Sequence, residues 1–232
     1  RHMISDYRII VYKQFHVGSA RCLSDRHLEM LTRAFDRPRG QAEHALGGRS
    51  AISRISLDGI GPAVVKYYTR GGILGSINRR FYLKAGRTRG EIEWRFLNRM
   101  RHIGVRAPEP IAFAWYGRMV YRGWLVTREI TDHLTLAQLS RSQGNRIDRA
   151  LKDLAPQIQR LIANRIHHVD LHPGNVLVDP TGYTYIIDFD KCRFTNKSTA
   201  MLKSIYTRRW NRAIVKHGLP PELIKWFDRQ LF

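Results

Sequence analysis

The sequence predicts a mixed α+β chain whose first half is rich in strands and whose second half is mostly helical. Three observations indicate this. Residues 47–68 alternate as strands do, with Asp58-Gly59 as a turn. Residues 88–102 have helical periodicity and begin with Thr88 and Glu91, the residues of a capping box. Before a polar loop, apolar residues recur at helical spacing: Leu151, Leu154, Ile158, Leu161, Ile162 and Ile166.

The remaining elements follow from the same signals. In order, they are a strand (7–12), a helix capped by Ser24 (25–35), a strand (63–68), an extended connector with Pro108 and Pro110, a strand (124–130) and a helix starting at residue 134. The boundary between the strand-rich and helical halves falls at residues 129–133, between the last two elements.

Size and composition restrict the class of protein. The 232 residues, 43% of them hydrophobic, suit one compact unit or two small lobes. A net charge of +21 favours polyanions as partners: nucleic acid, anionic lipid or phosphorylated glycolipid. Cys22 and Cys192 show no metal-ligand spacing, so a reducing cytosolic setting is expected. No apolar run approaches the ~20 residues of a membrane span, and residues 1–3 read as an expression-vector remnant.

Polar residues fill the loop that follows the helical stripe. It contains Asp170 and, five residues later, Asn175, while Asp188 ends the next apolar run. Phosphoryl transfer requires this set, because one carboxylate must orient an attacking hydroxyl while two oxygen ligands hold Mg²⁺ against ATP phosphates. The sequence therefore predicts Asp170 as the catalytic carboxylate and Asn175 and Asp188 as metal ligands. The alternative is a surface hairpin with polar ends.

The stretch between Asn175 and Asp188 predicts a β-hairpin. Residues 176–178 read as a strand, 179–182 as a type I turn and 183–187 as the return strand. Paired strands lie roughly 5 Å apart, so the residues before the first and after the second meet at one end. We therefore expect Asn175 and Asp188 to lie within reach of one ion.

Three histidines, His167, His168 and His172, surround the catalytic aspartate in sequence. A zinc cluster is the alternative they raise, but the carboxamide and carboxylates nearby favour Mg²⁺. His168 is expected to hold the loop together rather than to contact a substrate.

A lysine on a strand is the candidate for gripping ATP phosphates. Lys66 is the one basic residue in the apolar run 63–68, from which it projects as a point charge. Its expected partner is a glutamate on the next helix. Glu91 serves the cap, whereas Glu93 has apolar residues at i+4 and i+7 and so faces inward. Glu93 is therefore preferred; a snorkelling lysine and a solvated glutamate are the alternatives.

Two further pairs complete the predicted nucleotide site. Gly47 and Gly48 precede a strand, and glycines let backbone N–H groups approach phosphates closely, although a plain turn has the same pattern. Glu129 and Ile130 occupy the connector where the edge of adenine is expected to meet backbone groups.

The order of these residues resembles that of the protein-kinase-like fold. Three segments are similar to the lipopolysaccharide kinase family: residues 66–72 (KYYTRGG), 87–94 (RTRGEIEW) and 187–190 (IDFD). The likeness runs from about residue 47 to residue 194. It implies a two-lobe α+β fold, with a β-rich N-terminal lobe carrying one main helix (1–130) and a short, mostly helical C-terminal lobe (131–232).

The resemblance implies an ATP-dependent kinase that uses Mg²⁺. Asp170 carries over as the base, Asn175 and Asp188 as Mg²⁺ ligands, and Lys66 and Glu93 as the phosphate lysine and its pair. The implied acceptor is a sugar hydroxyl of the lipopolysaccharide inner core. In the branch that acts on 3-deoxy-D-manno-octulosonic acid (Kdo), it is the 4-hydroxyl of Kdo on a lipid A precursor, at the cytoplasmic face of the inner membrane.

If the resemblance holds, the basic residues are expected to bind an anionic membrane surface that bears a Kdo-lipid A type glycolipid. The residues expected to face it are Arg70, Arg79, Arg80 and Lys84 of an insertion, and Arg208, Arg209 and Arg212 of a late helix. A solvated basic face is the alternative. Few residues follow Asp188, and no Ala-Pro-Glu segment appears among them, so the substrate lobe of a typical protein kinase is not expected.

Other activities stay open at this point. A heptose kinase of the same family would have the same catalytic residues, and an atypical protein kinase of the RIO type also tolerates a short C-terminal lobe. A non-enzymatic polyanion-binding protein is a third possibility, but charge binding alone needs neither Asp170 nor Lys66, and nucleic acid is not expected as a partner. Asp190 stands where protein kinases have glycine, and its role is open.

Overall fold

The computed structural model of the chain describes residues 6–36, 51–68, 82–83, 86–142 and 146–231. The chain divides into two compact units. Unit 1 comprises Arg1–Arg99 and Glu109–Glu129, and unit 2 comprises Met100–Pro108 and Ile130–Phe232. An antiparallel sheet dominates the first unit and helices dominate the second, which confirms the predicted α+β class.

Unit 1 is built on one antiparallel sheet with the strand order β1-β2-β6-β7-β4-β3, and β5 pairs with β7. The strands are β1 (Arg8–Tyr12), β2 (Phe15–Ser19), β3 (Ala51–Leu57), β4 (Gly61–Tyr67), β5 (Tyr82–Leu83), β6 (Pro110–Tyr116) and β7 (Val120–Arg128). The helices are α1 (Asp25–Asp36) and α2 (Arg89–His102), the second of which continues into unit 2.

The core of unit 1 fixes strand β4 in the sheet. Aliphatic and aromatic side chains fill this core, and the ring of Phe35 on α1 stacks on Trp124 of β7 with centroids 4.8 Å apart. β4 lies between β3 and β7, where Lys66 is paired with Ile52 on one side and with Leu125 on the other. Because both neighbours hold β4, its single lysine projects from a fixed backbone.

The predicted connector at Pro108 and Pro110 is wrong in part, because β6 starts at Pro110. The strand lies between β2 and β7, and its residues from Pro110 to Trp115 are all buried. A strand buried on both faces shows no alternation, so the period-two signal is absent. Proline is tolerated there because it is the first residue of the strand.

Unit 2 is mostly helical and carries two small sheets, ordered β11-β10-β8 and β12-β9. Its strands are β8 (Leu134–Thr135), β9 (Ile166–His167), β10 (Val176–Val178), β11 (Thr184–Ile186) and β12 (Arg193–Phe194). Its helices are α3 (Leu136–Leu139), α4 (Arg146–Ala163), α5 (Thr199–His217) and α6 (Glu222–Leu231).

Helices α4, α5 and α6 supply the core of unit 2. The apolar stripe predicted for α4 is buried, and Pro156 lies inside the helix without ending it. On α5, Tyr206 and Trp210 are fully buried, and the ring of Trp210 stacks on Phe227 of α6 with centroids 4.5 Å apart. The indole N–H of Trp210 also donates to the carbonyl of Leu223 at 3.2 Å. α5 is therefore held firmly along the face that carries these aromatics.

Among the described residues, the helices are all too short or too polar to cross a lipid bilayer.

Candidate active site

The side chain of Asn175 closes the predicted catalytic loop of unit 2. Residues 173–175 form a short 3-10 turn capped by His172, whose Nδ1 accepts a hydrogen bond from the Gly174 N–H at 3.1 Å. The Nδ2 of Asn175 donates to the backbone carbonyl of Asp170 at 2.9 Å. This bond spans the five-residue spacing of the motif and leaves the Oδ1 of Asn175 as the oxygen that the carboxamide can offer.

The hairpin predicted after Asn175 is confirmed. β10 and β11 pair antiparallel, and their turn is closed by a 3.0 Å bond from the Gly182 N–H to the Asp179 carbonyl. At the other end, the Ile187 N–H donates to the carbonyl of Asn175 at 3.0 Å. Asp188 follows immediately, so the hairpin brings the backbones of the two predicted metal ligands to one end.

His168 anchors the predicted catalytic loop through buried hydrogen bonds. It is fully buried, its Nε2 donates to the Ile187 carbonyl at 3.0 Å, and its ring meets Phe189 edge-on at 4.8 Å. Its backbone N–H donates to the Tyr206 hydroxyl at 3.0 Å, and that hydroxyl donates to the Ile166 carbonyl. Burial lowers the pKa of His168, which keeps the imidazole neutral in the fold. The loop is thereby tied both to the hairpin and to α5.

Two cations lie beside the carboxylate of Asp170, which is one-third exposed. Arg209 Nη2 of α5 donates to Asp170 Oδ1 at 3.4 Å, and Lys191 Nζ lies 3.9 Å from Oδ2. Arg209 also acts on His172, because burial and then the charge of Arg209 lower the pKa of that imidazole to about 4. The surroundings of the predicted base are therefore cationic.

The prediction that Arg208, Arg209 and Arg212 face a membrane stays a prediction, but the surroundings of Arg209 differ from those of the other two. Arg208 and Arg212 are exposed, but Arg209 is 28% exposed and contacts Asp170. Helical geometry explains the difference, since Arg209 lies three residues after Tyr206, whose hydroxyl bonds the catalytic loop. That spacing from an inward-facing tyrosine is the signal that could have identified it.

In unit 1, Lys66 and Glu93 form the predicted ion pair. Lys66 Nζ lies 3.0 Å from both carboxylate oxygens of Glu93, and the two side chains are 15% and 3% exposed. The hydroxyl of Tyr68 donates to Glu93 Oε2 at 2.6 Å. Tyr68 was missed in the sequence, although it lies two residues after Lys66 and so on the same side of the strand.

Glu91 takes part in the predicted cap of α2, and its carboxylate makes two contacts that the sequence did not predict. Its backbone N–H donates to the Thr88 hydroxyl at 3.3 Å, which caps α2. Its carboxylate accepts from the Tyr7 hydroxyl at 2.8 Å and from Arg95 Nε at 3.0 Å. Glu91 is thus committed to tying the N-terminal segment to α2, and Glu93 is the glutamate paired with Lys66.

The remaining predicted residues fall in different places. Glu129 follows β7 in unit 1, where its N–H donates to the Pro62 carbonyl at 3.0 Å and its carboxylate accepts from Arg54 Nε at 2.6 Å. Ile130 begins the second part of unit 2, and its carbonyl contacts the ring of His133. The glycine pair Gly47 and Gly48 lies outside the described residues.

The residues at the end of the hairpin fit Mg²⁺. Asn175 offers a carboxamide oxygen and Asp188 a carboxylate, and Mg²⁺ prefers oxygen ligands of this kind. In the described ranges, no group of three or more His, Cys, Asp and Glu side chains is arranged as a metal site.

Comparison with known proteins identifies relatives. The chain is 30% identical to a 3-deoxy-D-manno-octulosonic acid kinase of Xylella fastidiosa (strain M12) over 158 residues, which cover 66% of this chain and 62% of the relative. It is 30% identical to a protein of the same name from Actinobacillus succinogenes over 194 residues, 79% of each chain. The match thus spans less than two thirds of the length of the Xylella protein.

A family model describes the same region. The model of the lipopolysaccharide kinase (Kdo/WaaP) family matches residues 42–212, which include the Lys66–Glu93 pair, the catalytic loop and the hairpin. This range is well over half of the chain. The protein therefore belongs to the lipopolysaccharide kinase (Kdo/WaaP) family.

Proposed function

We propose that this chain is an ATP-dependent kinase that phosphorylates a sugar hydroxyl of the lipopolysaccharide inner core, namely the 4-hydroxyl of Kdo on a lipid A precursor. Family membership and the names of the relatives support this proposal. The observation that carries it is the loop and hairpin of unit 2, where hydrogen bonds hold Asp170, Asn175 and Asp188 in one local structure. A protein that bound polyanions by charge alone would need none of this order.

Asp170 is assigned the role of the base. Its carboxylate orients the acceptor hydroxyl and takes its proton as the oxygen forms a bond to the γ-phosphorus of ATP. The bond between that phosphorus and the β–γ bridging oxygen breaks, and the electron pair leaves with ADP. The proton then passes from Asp170 to solvent. The Asn175 bond to the Asp170 carbonyl keeps the base at a fixed position in its loop.

Asn175 and Asp188 are the residues that would hold Mg²⁺. When bound, the ion neutralises phosphate charge and orients the nucleotide. The chain contributes to this by fixing both ligands at one end of a hydrogen-bonded hairpin rather than on independent loops.

The nucleotide grip is assigned to unit 1. Lys66 binds phosphate oxygens, and Glu93, which accepts a hydrogen bond from the Tyr68 hydroxyl, fixes the ammonium through two hydrogen bonds of 3.0 Å. The adenine edge meets backbone groups near Glu129 and Ile130, and the glycine pair at residues 47–48 covers the phosphates. ATP and Mg²⁺ are thus the cosubstrate and cofactor of the proposed reaction.

The proposed site of action is the cytoplasmic face of the inner membrane, which the protein reaches as a peripheral partner of anionic lipid. The net charge of +21 supports attraction to such a surface and to an anionic glycolipid acceptor.

The decisive test is mass spectrometry of the product formed from purified Kdo-lipid A, ATP and Mg²⁺. We expect one added phosphate on Kdo and at least a hundredfold loss of rate in Asp170→Ala, the order of magnitude of general-base catalysis. Asp148→Ala, which removes an exposed aspartate of α4, should keep the rate. The Kdo assignment fails if Kdo-lipid A stays unphosphorylated while a heptose-bearing core or a protein offered in its place is phosphorylated, and the enzyme assignment fails if ATP is consumed with none of these acceptors.

A further inference from the structure

The structure brings a positive side chain against the predicted base from a helix outside the motif. Arg209 Nη2 lies 3.4 Å from Asp170 Oδ1, and Lys191 Nζ lies 3.9 Å from Oδ2. The proposed mechanism uses neither residue. Both nevertheless lie where the acceptor hydroxyl must arrive, since that hydroxyl has to reach the carboxylate of Asp170.

The hydrogen bond between Arg209 and Asp170 is long, and it uses only part of the hydrogen-bonding capacity of the guanidinium. Charge-assisted N–H···O bonds in proteins are normally about 2.7–2.9 Å long, and Arg–carboxylate pairs are often bidentate. In the part of the chain that the structure describes, Arg209 makes one hydrogen bond, at 3.4 Å. A guanidinium has five N–H donors, so this geometry is compatible with a second anion.

Arg209 is presented from a rigid position. Its neighbour Trp210 and the preceding Tyr206 are fully buried, and Tyr206 bonds the catalytic loop directly. Lys191, by contrast, is 67% exposed on a loop. Arg209 is therefore the stronger candidate for a directed contact, and Lys191 adds charge more than geometry.

The chemistry of the proposed acceptor gives this cation a purpose. The relatives are named for an octulosonic acid, a sugar that carries a carboxylate. Phosphoryl transfer to such a sugar gathers three anionic groups: the acceptor carboxylate, Asp170 and the ATP phosphates. Their mutual repulsion must be offset by cations at the same place. A guanidinium next to the base is placed to bind an acid group that belongs to the same sugar as the reacting hydroxyl.

We propose that Arg209, assisted by Lys191, binds the carboxylate of the acceptor sugar and so selects an acidic sugar and positions its hydroxyl at Asp170. This inference rests on the proposed function and adds the group by which the acceptor is recognised. Arg209 is thereby a specificity-determining residue and not a base.

The test compares two soluble acceptors, the methyl glycoside of Kdo and its C1 carboxamide, which differ only in the anionic charge. With wild type we expect the carboxamide to raise KM roughly 10- to 100-fold, the range for losing a hydrogen-bonded charge pair. With Arg209→Gln, the KM for the acid should rise by a similar factor while its preference over the carboxamide falls to within about threefold. Arg209→Lys should restore part of the preference.

Lys216→Gln is the matched control, because it removes an exposed cation without an assigned role from the same helix. It should keep the wild-type preference, and soluble acceptors remove any contribution of membrane binding. If active Arg209→Gln keeps the full preference for the acid, the inference is wrong while the kinase assignment stands. If wild type phosphorylates neither acceptor nor Kdo-lipid A, the proposed function and the inference both fail. Should Arg209→Gln not fold, Arg209→Lys and Lys191→Gln provide the same comparison.

Discussion

The buried imidazole of His172 contributes to the pH dependence of this protein's stability. Burial, followed by the charge of Arg209, lowers the pKa of His172 to about 4 from an ordinary value of 6.5. As the pH falls below about 6.5, the unfolded chain takes up a proton that the folded chain does not bind. Stability that is fully present above that pH is therefore lost progressively towards pH 4.

Wild type should lose stability between pH 7 and pH 4, and we expect the His172→Asn variant to lose about 3 kcal/mol less over the same range. Asparagine retains an oxygen that can accept the Gly174 N–H, so the cap of the turn is preserved. Urea unfolding at a series of pH values measures the effect. An unaltered slope in His172→Asn would contradict the assignment.

At the scale of the element, α4 is fixed by a buried polar network as well as by its apolar stripe. Gln157 is 1% exposed; its Oε1 accepts the Arg106 N–H at 2.8 Å, and its Nε2 donates to the Thr184 hydroxyl at 2.7 Å. The carboxylate of Asp153 accepts the N–H and the hydroxyl of Thr184 at 2.8 and 2.7 Å. This network joins α4 to the hairpin strand β11.

Gln157→Leu should destabilise unit 2 by about 1–3 kcal/mol, because the Arg106 N–H loses its acceptor and the Thr184 hydroxyl loses one of its two hydrogen bonds. The measurement is the free energy of unfolding in urea. Gln159→Leu makes the same chemical change on the exposed side of α4 and should cost less than about 0.5 kcal/mol. Equal effects of the two variants would show that the network does not stabilise the helix.

The elements also show what the sequence could predict. The hairpin from Asn175 to Asp188 could be predicted from its turn residues and its short length, and the structure contains both the turn and the paired strands. β6 was missed because a strand buried on both faces has no alternation. Local spacing places Arg209 near the face of Tyr206 and Tyr68 near Lys66, but their partners Asp170 and Glu93 are distant in sequence, so these contacts depend on tertiary packing.

At the scale of the whole molecule, the dominant property is the net charge of +21. We expect the protein to float with vesicles containing anionic lipid and to be released as salt rises from 0.05 to 0.5 M, because screening shortens the range of electrostatic attraction. Vesicles of neutral phosphatidylcholine are the control and should bind little.

Arg79→Gln with Arg80→Gln should weaken binding if the basic insertion, which lies outside the described residues, faces the lipid. Binding unchanged by that pair would exclude the insertion as the membrane contact.

The backbone of Asp188 has a practical consequence. Its φ angle of 65° lies in the left-handed region, where asparagine and aspartate are tolerated far better than other side chains that have a Cβ. Replacement by asparagine therefore removes one negative charge while the main chain keeps its shape, whereas alanine or valine adds conformational strain. We expect this variant to be inactive but correctly shaped, which would make it a suitable starting point for trapping nucleotide and acceptor together in a crystal.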